Sequence, residues 1–214
     1  HLKRNYRKNE KYIIWIRNPI HRFVSAFNMS YNLINTDTSN LDINNLTFEN
    51  CLAPTRVKYK MKHDHTFSKR YDYLVKYFKT ANKLAESITS KIKKERKLAL
   101  ELMNSKKEHI FKGIGWYLSN GNFVKKRHKD ILFVGSCENM VNDINKLSKL
   151  LNVKINPKNH IRKNKLKNDN FLSSKAIKNI LNFYKDTDYK SLKKLLEYNF
   201  ITKDLFKKYH HYNI

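Results

Sequence analysis

The hydrophobic positions of this chain fall into two patterns. The first is the continuous apolar run. Tyr12-Ile13-Ile14-Trp15-Ile16 lies between charged residues, is five residues long and is rich in β-branched side chains. It predicts a strand buried on both faces, as in a parallel sheet. Ile131-Leu132-Phe133-Val134 is a second such run, after which Gly135-Ser136-Cys137 turns the chain. The second pattern is helical spacing. Asn18-Pro19 ends the first strand, and Pro19 suits a first helical turn because no N–H is needed there. Phe23, Val24, Phe27 and Tyr31 follow at helical intervals. Residues 72–104 contain no Pro and read as helical, with Leu84, Ile88, Ile92, Leu98 and Leu102 near one stripe. Residues 110–120 predict another helix, in which Gly113 and Gly115 allow a close approach. Met140, Val141, Ile144, Leu147, Leu150 and Leu151 predict an amphipathic helix. Ser173 is placed to cap a helix carrying Ile177, Ile180, Leu181 and Tyr184, and Asp188 to cap the next, with Leu192, Leu195 and Leu196. A last short helix precedes a polar C-terminus.

Two stretches lack periodicity. Residues 35–70 are polar, apart from a short helix candidate at Thr47–Leu52, and read as an insertion, lid or acceptor loop. Residues 152–170 form a basic loop. The order strand, helix, many helices, strand, helix predicts an α/β fold with a small parallel sheet. The length of 214 residues suits one domain, 1–214. Two strands make a very small sheet, and the chain opens on His1 without a Met. The expectation is therefore of an N-terminally truncated piece, whose missing strand would lie beside Tyr12–Ile16.

Charge changes the picture. Lys plus Arg number 45 and Asp plus Glu 18, a formal net charge of +27. Such a field favours a polyanion: nucleic acid, an anionic nucleotide or an acidic glycan. The lysines are spread over every segment, so part of the excess is simply a solvated surface. Two Cys, Cys51 and Cys137, exclude a disulfide scaffold and a Cys₄ zinc site; both read as free thiols. No run approaches the ~20 apolar residues of a membrane span.

The stretch that carries chemistry is Trp15-Ile16-Arg17-Asn18-Pro19-Ile20-His21-Arg22-Phe23-Val24-Ser25-Ala26-Phe27. A buried strand delivers Arg17 at its C-terminal end, where open α/β sheets bind ligands. The helix that follows presents its N–H groups and positive dipole to the same place. Ser25 lies about two turns in. An Arg fork, a helix start and a hydroxyl together predict a phosphate site.

This pattern, R-N-P-x-x-R-x-x-S-A-F, resembles the 3′-phosphate-binding motif of sulfotransferases, in particular the carbohydrate (Golgi-type) branch. Lys112-Gly113-Ile114-Gly115-Trp116-Tyr117-Leu118 and Ile131-Leu132-Phe133-Val134-Gly135-Ser136-Cys137-Glu138-Asn139-Met140 followed by Asp143 resemble later family pieces, in the family's order. The resemblance covers about two thirds of the chain. It implies a P-loop-like sulfotransferase fold, 3′-phosphoadenosine 5′-phosphosulfate (PAPS) as co-substrate, no metal, and sulfuryl transfer to a hydroxyl or amine, with an anionic carbohydrate or another small molecule as acceptor. It assigns Arg17 and Ser25 to the 3′-phosphate, with Arg22 structural or peripheral to it. Arg162 and Lys163, in the basic loop, become a second clamp. The family's 5′-phosphosulfate loop, with its Lys-Gly-Ser/Thr sequence, has no counterpart in the chain. The piece alone is therefore expected to be inactive. The compartment implied is the cytoplasm for a prokaryotic or viral protein and the Golgi lumen for a eukaryotic one.

No catalytic base is readable. His63 and His65 in Lys62-His63-Asp64-His65 are loop residues that a mobile acceptor loop could use as a base, and His1 matches a catalytic His only by position. Trp116 and Tyr117 read as core, with an adenine platform as the alternative. The rival reading is a non-enzymatic basic nucleic-acid-binding protein, in which 13 Tyr would stack on bases. Against it, the lysines are not confined to one face and no nucleic-acid motif is present.

Overall fold

In a computed structural model, described for residues 10–33, 69–106, 108–155 and 171–210, the chain is α/β and mostly helical, with one two-stranded parallel sheet. It divides into two compact units whose segments interleave in sequence: His1–His21, Gly113–Lys167 and Phe183–Ile214 form the first, Arg22–Lys112 and Asn168–Asn182 the second.

The first unit holds the sheet. Strand β1 (Tyr12–Ile16) coincides with its apolar run, bounded by Lys11 and Arg17. Strand β2 (Ile131–Ser136) runs two residues beyond the expected end, and the turn falls at Cys137–Asn139. The strands pair in parallel, Ile13 with Phe133, Trp15 with Gly135 and Ile16 with Ser136, with an irregularity between Tyr12 and Ile13. Gly135 is where the Trp15 ring lies: a Cβ there would sit 2.4 Å from the ring. The expectation of a strand covered on both faces is not met. Ile14 and Ile16 are buried, whereas Ile13 is 42% exposed and Trp15 half-buried, so burial alternates. Among the described residues β1 pairs with β2 alone.

The same unit holds helices α5 (Ile114–Tyr117), α6 (Asn122–Arg127), α7 (Met140–Leu151), α9 (Lys190–Glu197) and α10 (Lys203–His210). Helix α7 packs on β2 through Ile144 and Leu147; Val141 and Leu150, on its flanks, stay exposed. The single helix expected over 110–120 is only the one turn of α5. Ser119, Asn120 and Gly121 follow it with positive φ (51°, 53° and 88°) and reverse the chain. Tyr117 is 46% exposed, so the core reading fails for that residue.

Asp188 does not cap α9, the helix that follows it. It is buried within the π-helical segment Lys185–Tyr189, and its Oδ1 accepts the Gly115 N–H at 2.9 Å. This segment is what the two glycines admit. A Cβ on Gly113 would lie 2.1 Å from Asp188 Oδ2, and one on Gly115 would lie 2.5 Å from the Thr187 backbone carbonyl carbon. Because backbone cannot swing aside, Gly115→Ala is expected to destabilise the protein by about 2 kcal/mol. Urea unfolding would detect this as a lower midpoint at unchanged slope; an unaltered midpoint would contradict it.

The second unit is helical. It contains the larger part of α1 (Pro19–Leu33), then α2 (Lys69–Phe78), α3 (Ala81–Ser87), α4 (Lys93–Met103) and most of α8 (Ser174–Tyr184). Phe23 and Phe27, Leu74, Val75 and Phe78, Leu84, Leu102 and Ile180 are buried. The helical stretch expected over 72–104 is three helices, although no Pro or Gly interrupts it. Hydroxyls break it instead. Thr80 Oγ1 accepts the Lys83 N–H and starts α3, and Ser90 Oγ accepts the Ile92 N–H between α3 and α4. Ile92, placed on the apolar stripe by its spacing, is 65% exposed in that break. Ser173 caps α8 as expected, its Oγ accepting the Ala176 N–H at 3.1 Å. Among the described residues no helix is long and apolar enough to cross a membrane.

Candidate functional site

The site is built at the C-terminal ends of the two parallel strands, within the first unit. Strand β1 ends at Ile16, Arg17 follows half-buried, and Asn18 caps α1 by accepting the Ile20 N–H on its Oδ1 at 2.8 Å. Pro19 then occupies the first helical position. The segment after β2 answers it. Glu138 Oε1 accepts the Asn18 N–H at 2.9 Å, so the end of the second strand grips the turn that carries Arg17.

Glu138 is held from three further directions. Its Oε2 accepts the Ser136 hydroxyl at 2.9 Å and the Tyr209 hydroxyl of α10 at 2.5 Å. His21, in the first turn of α1, brings Nδ1 to 3.5 Å from Oε1. Tyr209 is itself fixed: its ring is buried and its carbonyl accepts the Tyr189 hydroxyl at 2.9 Å. The Ser136 N–H donates to Asp143 Oδ2 at 2.8 Å, and Lys146 Nζ lies 3.2 Å from Asp143 Oδ1.

The electrostatics follow from these bonds. Burial alone would raise the Glu138 pKa, but donors from His21, Tyr209, the Asn18 amide and Ser136 outweigh it and hold it at about 2. Burial, and then the adjacent carboxylate, push the Tyr209 hydroxyl well above the ordinary tyrosine range, so it remains a donor. Cys137 is exposed as a residue; partial desolvation of its thiol, and then the Glu138 charge, raise its pKa, while the Arg17 guanidinium pulls it down. The Arg17 charge is thus felt at Cys137, beside Glu138.

The expected phosphate site takes a different form in one respect. The helix start was expected to offer its amides to an anion. The Asn18 and Ile20 amides are instead bonded to Glu138 and to the Asn18 side chain. An anion beside Arg17 would therefore be held by side chains. Arg17 lies in the first unit, and half-buried Ser25, in the middle of α1, is counted with the second. Arg22 also belongs to the second unit. Its guanidinium donates to the carbonyls of His109 at 2.9 Å and Ile110 at 3.3 Å, which fits a structural role. His1, Cys51, His63, His65, Arg162, Lys163 and the Thr47–Leu52 helix lie outside the described residues. Among the described residues no group of three or more His, Cys, Asp or Glu side chains could hold a metal ion.

Sequence reasoning missed the inner parts of the site. Asn18 reads as a strand end, yet Asn followed by Pro is also the signature of an N-cap and first helical position, the part it plays here. Glu138 lies in the stretch after the second strand, where nothing local marks it as the acceptor that joins the two strand ends. Tyr209 carried no signal, because its partner is 71 residues away. No protein-family model, curated protein or solved structure matches the chain.

Proposed function

We propose that the chain binds the 3′-phosphate of PAPS as part of a sulfotransferase with a P-loop-like fold, moving the sulfuryl group to a hydroxyl or amine, with a carbohydrate the favoured acceptor. The observation that carries the reading is the run of parallel strand, Arg17, Asn-capped turn and helix at the C-terminal ends of the strands. That is where ligands of open α/β sheets bind. Arg17 supplies a planar fork and a permanent charge for a phosphate. The motif assigns Ser25 to the same phosphate, and the basic loop adds Arg162 and Lys163.

In such a transfer the acceptor oxygen forms a new bond to sulfur, the bond from sulfur to the leaving phosphate breaks, and the acceptor proton passes to a base. Donor binding is the part this chain's residues supply: a fixed 3′-phosphate orients the nucleotide. No Lys-Gly-Ser/Thr sequence is present, so no residue is assigned to the leaving phosphate. The net charge of +27 suits an anionic glycan as acceptor.

The reading can be tested at Cys137, whose thiol feels Arg17. An anion on Arg17 removes the influence that favours the thiolate, so alkylation of Cys137 should slow. Adenosine 3′,5′-bisphosphate is expected to protect Cys137, followed by peptide mass spectrometry, where adenosine does not. Equal rates at saturating bisphosphate would contradict the reading. Protection by single-stranded RNA alone, lost steeply with added salt, would favour the nucleic-acid-binding rival.

A further inference from the structure

One contributor to the site comes from far along the chain. Tyr209 stands in the last turn of α10 with its ring buried. A phenylalanine would fill the same space, so packing alone does not ask for the hydroxyl. That hydroxyl donates to Glu138 Oε2 at 2.5 Å and lies 2.8 Å from the Ser136 hydroxyl. The other carboxylate oxygen, Oε1, accepts the Asn18 N–H at 2.9 Å, and Asn18 is the residue after Arg17. One carboxylate thus links α10 to the turn by a hydrogen bond on each side. Such a link takes a charge out of water, and a buried charge is a poor source of stability. What it supplies is fixed geometry. The Tyr209 hydroxyl keeps its proton, because burial and the adjacent carboxylate push its pKa above the ordinary tyrosine range. The backbone of α10 is held in turn, since the Tyr209 carbonyl accepts the Tyr189 hydroxyl.

We infer that Tyr209 is a positioning residue for the anion site: through Glu138 its hydroxyl holds the Asn18 turn, and with it the base of the Arg17 side chain, in the place that binding requires. This rests on the phosphate reading and adds to it a second requirement, a seated α10. A guanidinium grips a phosphate with two parallel bonds only when its plane is set. Arg17 lies between β1 and α1. On the strand side its neighbour Ile16 pairs with Ser136. On the helix side the Asn18 side chain bonds the Ile20 amide, which is internal to the turn, while the Glu138 bond ties the turn to the end of β2. Ser136 is two residues from Glu138, so its bond to Oε2 is local. The Tyr209 hydroxyl secures the same oxygen from a separate element. The Arg17 charge is felt at Cys137, so the guanidinium and the Glu138 segment share one end of the sheet.

The experiment is a double-mutant cycle on adenosine 3′,5′-bisphosphate affinity, with the full chain, Tyr209→Phe, Arg17→Ala and the double variant. Tyr209→Phe keeps the buried ring and is expected to weaken binding about three- to tenfold when Arg17 is present. In the Arg17→Ala background the loss should be less than about twofold, because the side chain that Tyr209 positions is gone. A merely structural role would leave the affinity of the folded chain alone, or lower it equally in both backgrounds. Amide hydrogen exchange gives a second readout. Tyr209→Phe should speed exchange of the Asn18 amide, held by Glu138, about tenfold relative to the Ser136 amide, held by Asp143. Unchanged affinity in Tyr209→Phe, equal losses in the two backgrounds, or an Asn18 amide that exchanges no faster would overturn the role of Tyr209 and leave the phosphate reading standing. No saturable binding to the wild-type chain would overturn both.

Discussion

Glu138→Ala should destabilise the protein by about 3 kcal/mol, measured as the loss of unfolding free energy in urea at neutral pH. The carboxylate accepts from the Asn18 amide, Ser136 and Tyr209, and both Ser136 and Tyr209 are nearly inaccessible to water. Removing the acceptor leaves the Asn18 amide and one of the two hydroxyls without it; the Ser136 and Tyr209 hydroxyls, 2.8 Å apart, can pair with each other but not satisfy both protons, and stranding the rest costs more than the bonds contribute. Glu138→Gln keeps one acceptor oxygen and is expected to lose about half as much. A Glu138→Ala variant as stable as the wild type would show that the network does not hold the strand ends together.

The same residue fixes a pH dependence. Glu138 titrates at about 2 in the folded protein, below its ordinary value of 4.5. A depressed carboxylate pKa contributes stability that is present above the unfolded value and lost as pH falls through the folded value. The contribution is therefore whole above about pH 4.5 and falls away toward pH 2, by about 2 kcal/mol once partial solvent screening is allowed for. Glu95, lowered by its bonds to Lys83 and Ser90, titrates in the same sense. The difference between wild type and Glu138→Gln isolates the Glu138 part: the two stability curves should converge in acid.

How far the sequence discloses this architecture depends on the range of the interaction involved. Strand β1 was legible to the residue, because its apolar run is cut off at Lys11 and Arg17. Its burial was not, since continuous apolarity does not say which face finds a neighbour, and Ile13 stays exposed. The 72–104 helix was legible as helical but not in its breaks, which hydroxyl groups make without Pro or Gly. Asp188 sits where a cap would, yet its carboxylate is taken by the Gly115 amide, a tertiary contact that no local rule anticipates. At the site, Arg17 could be named because strand ends and helix starts are local features. The Glu138–Tyr209 pair could not, because helical periodicity marks Tyr209 only as a core-facing position.

The central claim is that Arg17 anchors a nucleotide 3′-phosphate. Its loss removes a charge-assisted, planar contact, and hydrogen bonds to charged groups contribute about 1.5–3 kcal/mol each. Arg17→Lys restores the charge without the fork and should recover only part of the loss. Calorimetric titration with adenosine 3′,5′-bisphosphate, comparing the wild-type chain with Arg17→Ala, tests this most directly. The account predicts one saturable site in the wild type and an affinity lower by about 10- to 150-fold in Arg17→Ala. Equal affinities, or no saturable binding to the wild type, would contradict it.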